Sequence, residues 1–113
     1  MTTDEIELRA LMLASLEGDA AAHRVLLDRL SSRLRAYYKG KLARIGEGGA
    51  EAEDLVQEAV LAIHLKRSTY DPREPLTPWV YAIARYKLID FLRRTRASRV
   101  DVPIEEADEV MAS

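Results

Sequence analysis

Apolar residues recur at three- and four-residue spacing through most of this chain, and no stretch alternates apolar with polar residues in the way a strand requires. That periodicity restricts the fold to helices packed on helices. Segment 20–45 is the clearest case. Its Leu26, Leu27, Leu30, Leu34, Tyr37, Tyr38 and Ile45 fall within about 120° of one another on a helical wheel. Segment 50–66 places Leu55, Val56, Ala59, Val60 and Ile63 on one face, and segment 77–99 does the same with Val80, Ala84, Leu88, Phe91 and Thr95, flanked by Tyr81 and Leu92. A shorter segment, 4–16, precedes them, with Thr2 and Glu5 at capping-box spacing. The breaks are chemical. "EGD" ends the first segment and Asp19 caps the second, "GEGG" at 46–49 ends the second, and the proline-containing "RSTYDPREPLTP" separates the third from the fourth, where Thr77 and Pro78 supply an N-cap and a first-turn proline. The expected fold is all-α: a compact bundle of three long helices plus a short N-terminal helix.

At 113 residues the chain is one domain's worth. Residues 1–99 form the expected helical domain. Residues 100–113 have little apolar content and read as an acidic flexible tail or the start of an interdomain linker. The absence of cysteine excludes a disulfide framework and a thiolate metal site, and a reducing cytoplasm fits best. No apolar run approaches the ~20 residues of a membrane helix and no signal peptide is evident, so no direct membrane insertion is expected. The net charge of −2 hides a division into three parts. Residues 1–65 carry eight Lys/Arg and eleven Asp/Glu, residues 66–99 nine and three, and residues 100–113 none and five. A basic block beside an acidic tail is common in chains that meet a polyanion, and it is also what a solvated basic helix face looks like.

Catalysis is not expected. His23 and His64 have no metal-ligand spacing, "GEGG" has neither the preceding strand nor the following Lys-Ser/Thr of a phosphate loop, and no serine sits in a nucleophile elbow. No metal or cofactor is implied. Two surfaces remain, and both suit partners. The outer side of segment 77–99 carries Trp79, Ile83 and Tyr86 among Arg85, Lys87, Arg93 and Arg94. One reading packs the rings beneath the Tyr70 loop. The other uses rings and cations together: a base stacks on an aromatic side chain for about 1–3 kcal/mol while the cations hold phosphates, which favours opened strands over intact duplex. On segment 50–66, Asp54, Glu58, Leu61 and Leu65 follow at spacings of four, three and four, with Gln57 beside them. Either the first helix covers these leucines, or they form a docking stripe for another helix or coiled coil.

These residues also carry a family pattern. "GDAAAHRVLLDRL", "AEDLVQEAVLAIHLK" and "TYDPREPLTPWVYAIARYKLIDFLRR", together covering about residues 17–96, resemble the second conserved region of an extracytoplasmic-function sigma factor, the small bacterial subunit that directs RNA polymerase to promoters. The Glu-Asp-Leu-Val-Gln-Glu, Pro-Trp-x-Tyr-x-Ile-Ala-Arg and Asp-x-Leu-Arg-Arg blocks occur in order. The resemblance implies that Asp54, Gln57, Glu58, Leu61 and Leu65 bind the clamp-helix coiled coil of the polymerase beta-prime subunit. It implies that segment 77–96 and the loop before it melt the −10 promoter element and hold a flipped base of the non-template single strand. By position, Tyr70, Ile83 and Tyr86 would line or close the base pocket, Lys66, Arg73, Arg85, Lys87, Arg93 and Arg94 would contact phosphates, and Trp79 would in part shape the wedge by packing. It further implies an anti-sigma factor, often membrane-anchored, that covers the polymerase-binding surface.

Two departures stand out. Family members commonly carry Asn where this sequence has Tyr86; a phenol stacks but makes no bidentate amide contact, so base preference is left open there. The family also has a second helical domain that reads the −35 element, and this sequence stops at Ser113, about where the acidic linker would run. An N-terminal fragment of a longer factor is the expectation, ahead of a natural single-domain variant. Two other classes of function stay open: a regulator that inserts the fourth helix into a duplex major groove, and a helical module that binds only protein.

Overall fold

The computed structural model describes residues 3–46 and 49–97, with side chains described as far as Thr95. Four helices follow in order: α1 (Thr3–Leu16), α2 (Ala20–Ala43), α3 (Gly49–Lys66) and α4 (Leu76–Ala97), with a 3-10 turn at Arg67–Thr69. Among the described residues there is no strand. The all-α expectation holds, and the helix limits fall within two residues of those the periodicity gives. Residues 100–113, expected as a tail or linker, and Thr2, the expected first member of a capping box, lie outside the described residues.

Local chemistry explains the ends. Gly18, at φ +99°, closes α1: its N–H bonds the Ser15 carbonyl at 3.0 Å and the Asp19 N–H reaches back to Ala14 at 3.0 Å. A glycine supports that left-handed backbone without a Cβ clash. Asp19 then caps α2, its Oδ1 accepting from the Ala22 N–H at 3.0 Å. The α4 start differs from the expected local cap. The helix begins at Leu76, and Thr77 donates rather than accepts: its N–H and its hydroxyl both bond Glu5 Oε1 of α1, at 2.6 and 2.9 Å. Glu5 therefore serves the N-terminus of α4.

The helices close a ring in which α2 touches α1 and α3 while α4 touches α3 and α1. The core runs through the middle: Leu8 and Met12 from α1, Leu26, Leu30, Leu34, Tyr38 and Leu42 from α2, Leu55, Val56, Ala59 and Ile63 from α3. From α4 it takes Leu76, Val80, Ala84, Leu88 and Leu92. Spacing of four along α4 makes Leu92 the buried member and leaves Phe91 half-buried at its flank. Tyr38 crosses the core to donate its buried hydroxyl to the Ala84 carbonyl at 2.8 Å, and burial pushes that phenol well above its ordinary range. On the surface Asp4 pairs with Arg29 and Arg33, and Glu7 with Arg29 at 3.2 Å, which holds α1 on α2.

Candidate functional surfaces

The inward positions of α4 are filled by leucine, valine and alanine, so the rest of that helix is left to face loop, solvent or partner. Trp79 is half-buried, its ring 5.5 Å from that of Tyr70, and Ile83 is half-buried against the core. Tyr86 is different: it is 72% exposed. Seven residues is close to two helical turns, so Trp79, Tyr86 and Arg93 lie along one line of α4, about 10 Å apart in succession. Arg85, Arg93 and Arg94 are exposed beside it and Lys87 is half-buried. Lys66, at the end of α3, is exposed as well.

The 70–75 loop is tied down by its own residues. Tyr70 is buried, its ring against Trp79 and its hydroxyl donating to the Glu74 carbonyl. In this state Tyr70 is a packing residue under the loop, and a contact between its ring and a base needs the loop to open. Arg73 is exposed, yet its guanidinium grips Asp71 through two bonds of 3.0 Å, and that pair holds the Asp71 carboxyl below its usual range.

The second surface lies on α3. Leu61 and Leu65 are 56% and 69% exposed, because α1 packs on α2 and α4 rather than over them. Leu61 borders an open groove of about 360 Å³ between α2 and α3, lined also by His23, Leu27, Gln57, Val60 and His64. Asp54 is exposed, and among the described residues nothing pairs with it. One turn N-terminal to Gln57, Glu53 is bound bidentately by Arg35 at 2.7 and 2.8 Å, which lowers the Glu53 carboxyl and leaves Asp54 and Glu58 as the carboxylates of the stripe. Glu58 and Arg94, assigned to different surfaces in the sequence, meet at 3.7 Å.

Two clusters escape sequence reasoning. Arg9 of α1 donates from Nε to the Pro72 carbonyl at 3.1 Å, and its Nη2 reaches the same oxygen. The legible signal was Glu5: with Leu8, Met12 and Ser15 it occupies the buried face of α1, a charge at a core position. The other cluster joins α1, α2, α3 and the 3-10 turn. Ser15 Oγ lies 2.6 Å from His23 Nδ1, and Arg67 Nη1 lies 2.8 Å from His64 Nδ1 and 3.3 Å from His23 Nε2. His23 Nε2 also lies 2.9 Å from His64 Nδ1, and a neutral His23 meets these contacts with Ser15 Oγ donating to Nδ1, and with Nε2–H and the Arg67 guanidinium both donating to His64 Nδ1. Burial first, then Arg67 and His64, lowers the His23 pKa, in keeping with a neutral ring. A separation of 41 residues gave no spacing by which to pair the two histidines.

Comparison with known proteins identifies the family. The sigma-70 region 2 family profile matches residues 26–98, which include α3, the loop and α4. The chain belongs to that family, in its extracytoplasmic-function branch. The ECF RNA polymerase sigma factor SigF of Caulobacter vibrioides is 48% identical over 112 residues, 99% of this chain and 60% of that protein. The ECF RNA polymerase sigma factor RpoE of Cereibacter sphaeroides is 30% identical over 96 residues, covering 83% of this chain and 51% of its own length. The RNA polymerase sigma factor CarQ of Myxococcus xanthus is 40% identical over 68 residues, 56% of this chain and 39% of its own. The region 2 chain thus spans between about two fifths and three fifths of the relatives it matches. No solved structure matches it. Among the described residues no helix is long and apolar enough to cross a membrane.

Proposed function

We propose that this chain acts within an RNA polymerase sigma factor, docking on the clamp-helix coiled coil of the core enzyme through α3 and binding the opened non-template strand of a −10 promoter element through α4. The observation that carries the reading is the exposure of Tyr86. A phenol that is 72% exposed on a helix whose core face is already complete contributes little to folding. Set among Arg85, Lys87, Arg93 and Arg94, it matches what a single strand needs: a ring for an unpaired base and cations for the phosphates on either side.

Stacking on a ring supplies about 1–3 kcal/mol, and unstacking a base from the duplex costs a few kcal/mol. Phosphate contacts must make up the difference, which gives the exposed cations a function beyond solubility. Ile83 and Trp79, half-buried beneath, form the floor beside Tyr86 in this reading, and Lys66 and Arg73 extend the cationic edge toward α3. On α3 the exposed Asp54, with Gln57, Glu58, Leu61 and Leu65, supplies an apolar stripe rimmed by negative charge, suited to a coiled coil that presents basic residues. An anti-sigma factor, membrane-anchored or free, would compete for the same stripe, and the setting is the bacterial cytoplasm. Fluorescence anisotropy with single-stranded and duplex oligonucleotides of one sequence tests the proposal. Preference for the single strand supports it, preference for duplex favours a major-groove regulator, and no salt-sensitive binding to either favours a protein-binding module.

A further inference from the structure

The loop 70–75 lies beside the proposed base site; its own bonds, Glu74 N–H to the Asp71 carbonyl at 3.0 Å and Arg73 N–H to Asp71 Oδ1 at 2.9 Å, fold it locally, and contacts from other elements set where it sits. Much of that placing comes from α1, a helix that precedes the family match. Arg9 donates to the Pro72 carbonyl at the crest of the loop, with Nε at 3.1 Å and Nη2 on the same oxygen. One turn earlier on the same helix, Glu5 accepts from the Thr77 N–H and hydroxyl at 2.6 and 2.9 Å where α4 begins. A single helix face therefore grips the loop at its middle and just past its end. Arg9 also bears on Tyr70, whose hydroxyl closes the loop onto the Glu74 carbonyl.

Energetics argue that this grip has a purpose. Glu5 is 6% exposed, and a carboxylate at a core position is costly unless its bonds are made. A serine or aspartate at the local N-cap would satisfy an α4 donor without involving another helix. Using a residue 72 positions away instead fixes the start of α4, and with it the line of Trp79, Tyr86 and Arg93, relative to α1. Arg9 then fixes the loop to the same reference.

We infer that Arg9 and Glu5 are positioning residues for opened-strand binding: from α1 they hold the 70–75 loop at a set distance from the Tyr86 face without touching nucleic acid themselves. The inference rests on the proposed function of α4. It is tested on the full chain with Arg9→Met and Arg9→Lys, by anisotropy on a short fluorescein-labelled single-stranded oligonucleotide across a salt series and by hydrogen exchange of the loop amides. Arg9→Met is expected to bind about ten-fold more weakly, the effect of one lost charge-assisted hydrogen bond, with an unchanged salt slope and faster exchange in the loop. Arg9→Lys still offers a donor to Pro72 and is expected to regain most of the affinity. Glu5→Ala, which removes the acceptor for Thr77, is expected to weaken binding as Arg9→Met does, and Glu5→Gln, which keeps an acceptor, to regain most of the affinity. Faster exchange with unchanged affinity would overturn the inference, as would a salt slope reduced by about one, because that marks Arg9 as a phosphate contact. If wild-type protein binds no single strand, the proposed function fails and this inference with it; if wild type binds and Arg9→Met binds equally well, only this inference fails.

Discussion

Glu58 of α3 and Arg94 of α4 form an ion pair at 3.7 Å, and each belongs to a different proposed surface. The acidic docking stripe and the cationic strand-binding edge therefore share a border. Both partners are substantially exposed, so the pair contributes only about 0.2–1 kcal/mol to stability. Its interest is in the charge each partner withholds from the other. Glu58→Gln removes one of the two carboxylates beside Arg94, leaving Asp90 at 4.0 Å, and should raise single-strand affinity by about two- to three-fold at low salt, while changing the urea midpoint little. Anisotropy and urea unfolding on the same variant check both halves of that expectation.

Docking through α3 gives a second prediction. Leu61, Leu65 and Asp54 are exposed, so Leu61→Glu or Asp54→Lys changes no core contact and should alter stability by less than about 0.5 kcal/mol. Either substitution should abolish co-purification with core polymerase while leaving the helical circular dichroism signal intact. Retention at the wild-type level would refute the assignment of that stripe.

Inside the bundle, Tyr38 provides a control that separates folding from binding. Removing its hydroxyl breaks the bond to Ala84 without leaving an orphan, because that carbonyl sits within a helix and keeps its backbone partner. Tyr38→Phe is expected to lower stability by about 1 kcal/mol and to leave strand affinity unchanged. Urea unfolding and anisotropy read the two effects.

The histidine cluster makes stability depend on pH. His23 is held neutral, its pKa lowered below the ordinary 6.5 by burial, by Arg67 and by His64. Below that value the unfolded chain takes up a proton that the folded chain resists, so the contribution is complete above about pH 6.5 and is lost as pH falls through the lowered folded value. Glu53 and Asp71, also lowered, act in a more acidic window, below their ordinary 4.5 and 3.8. Urea midpoints for wild type and His23→Gln should therefore converge as pH drops from about 7.5 to 5, with the variant showing the flatter profile.

Helix number, helix limits and most of the core were legible because each follows from one local rule. A leucine or valine every three or four residues defines a face, as with Leu26, Leu30 and Leu34, and glycine or aspartate ends a turn, as with Gly18 and Asp19. Tyr86 was legible by the same rule read in reverse, since it lies opposite Val80, Ala84 and Leu88. What local rules miss is a side chain whose partner is far along the chain. Thr77 reads as a cap from its neighbours, yet it donates to Glu5; the packing of Tyr70 on Trp79 under the loop likewise has no local sequence signal. The same holds for Arg9 with Pro72 and for His23 with His64. These pairings come from the closing of the bundle, which periodicity constrains only in outline.

The central claim is that Tyr86 is exposed because it stacks on an unpaired base, and the single-strand affinities of Tyr86→Ala and Tyr86→Phe test it most directly. Loss of the ring should weaken binding by roughly five- to one-hundred-fold, the equivalent of about 1–3 kcal/mol, while Tyr86→Phe, which keeps the ring, should bind as wild type does. If both variants bind the opened strand as tightly as the unaltered protein, the account is contradicted.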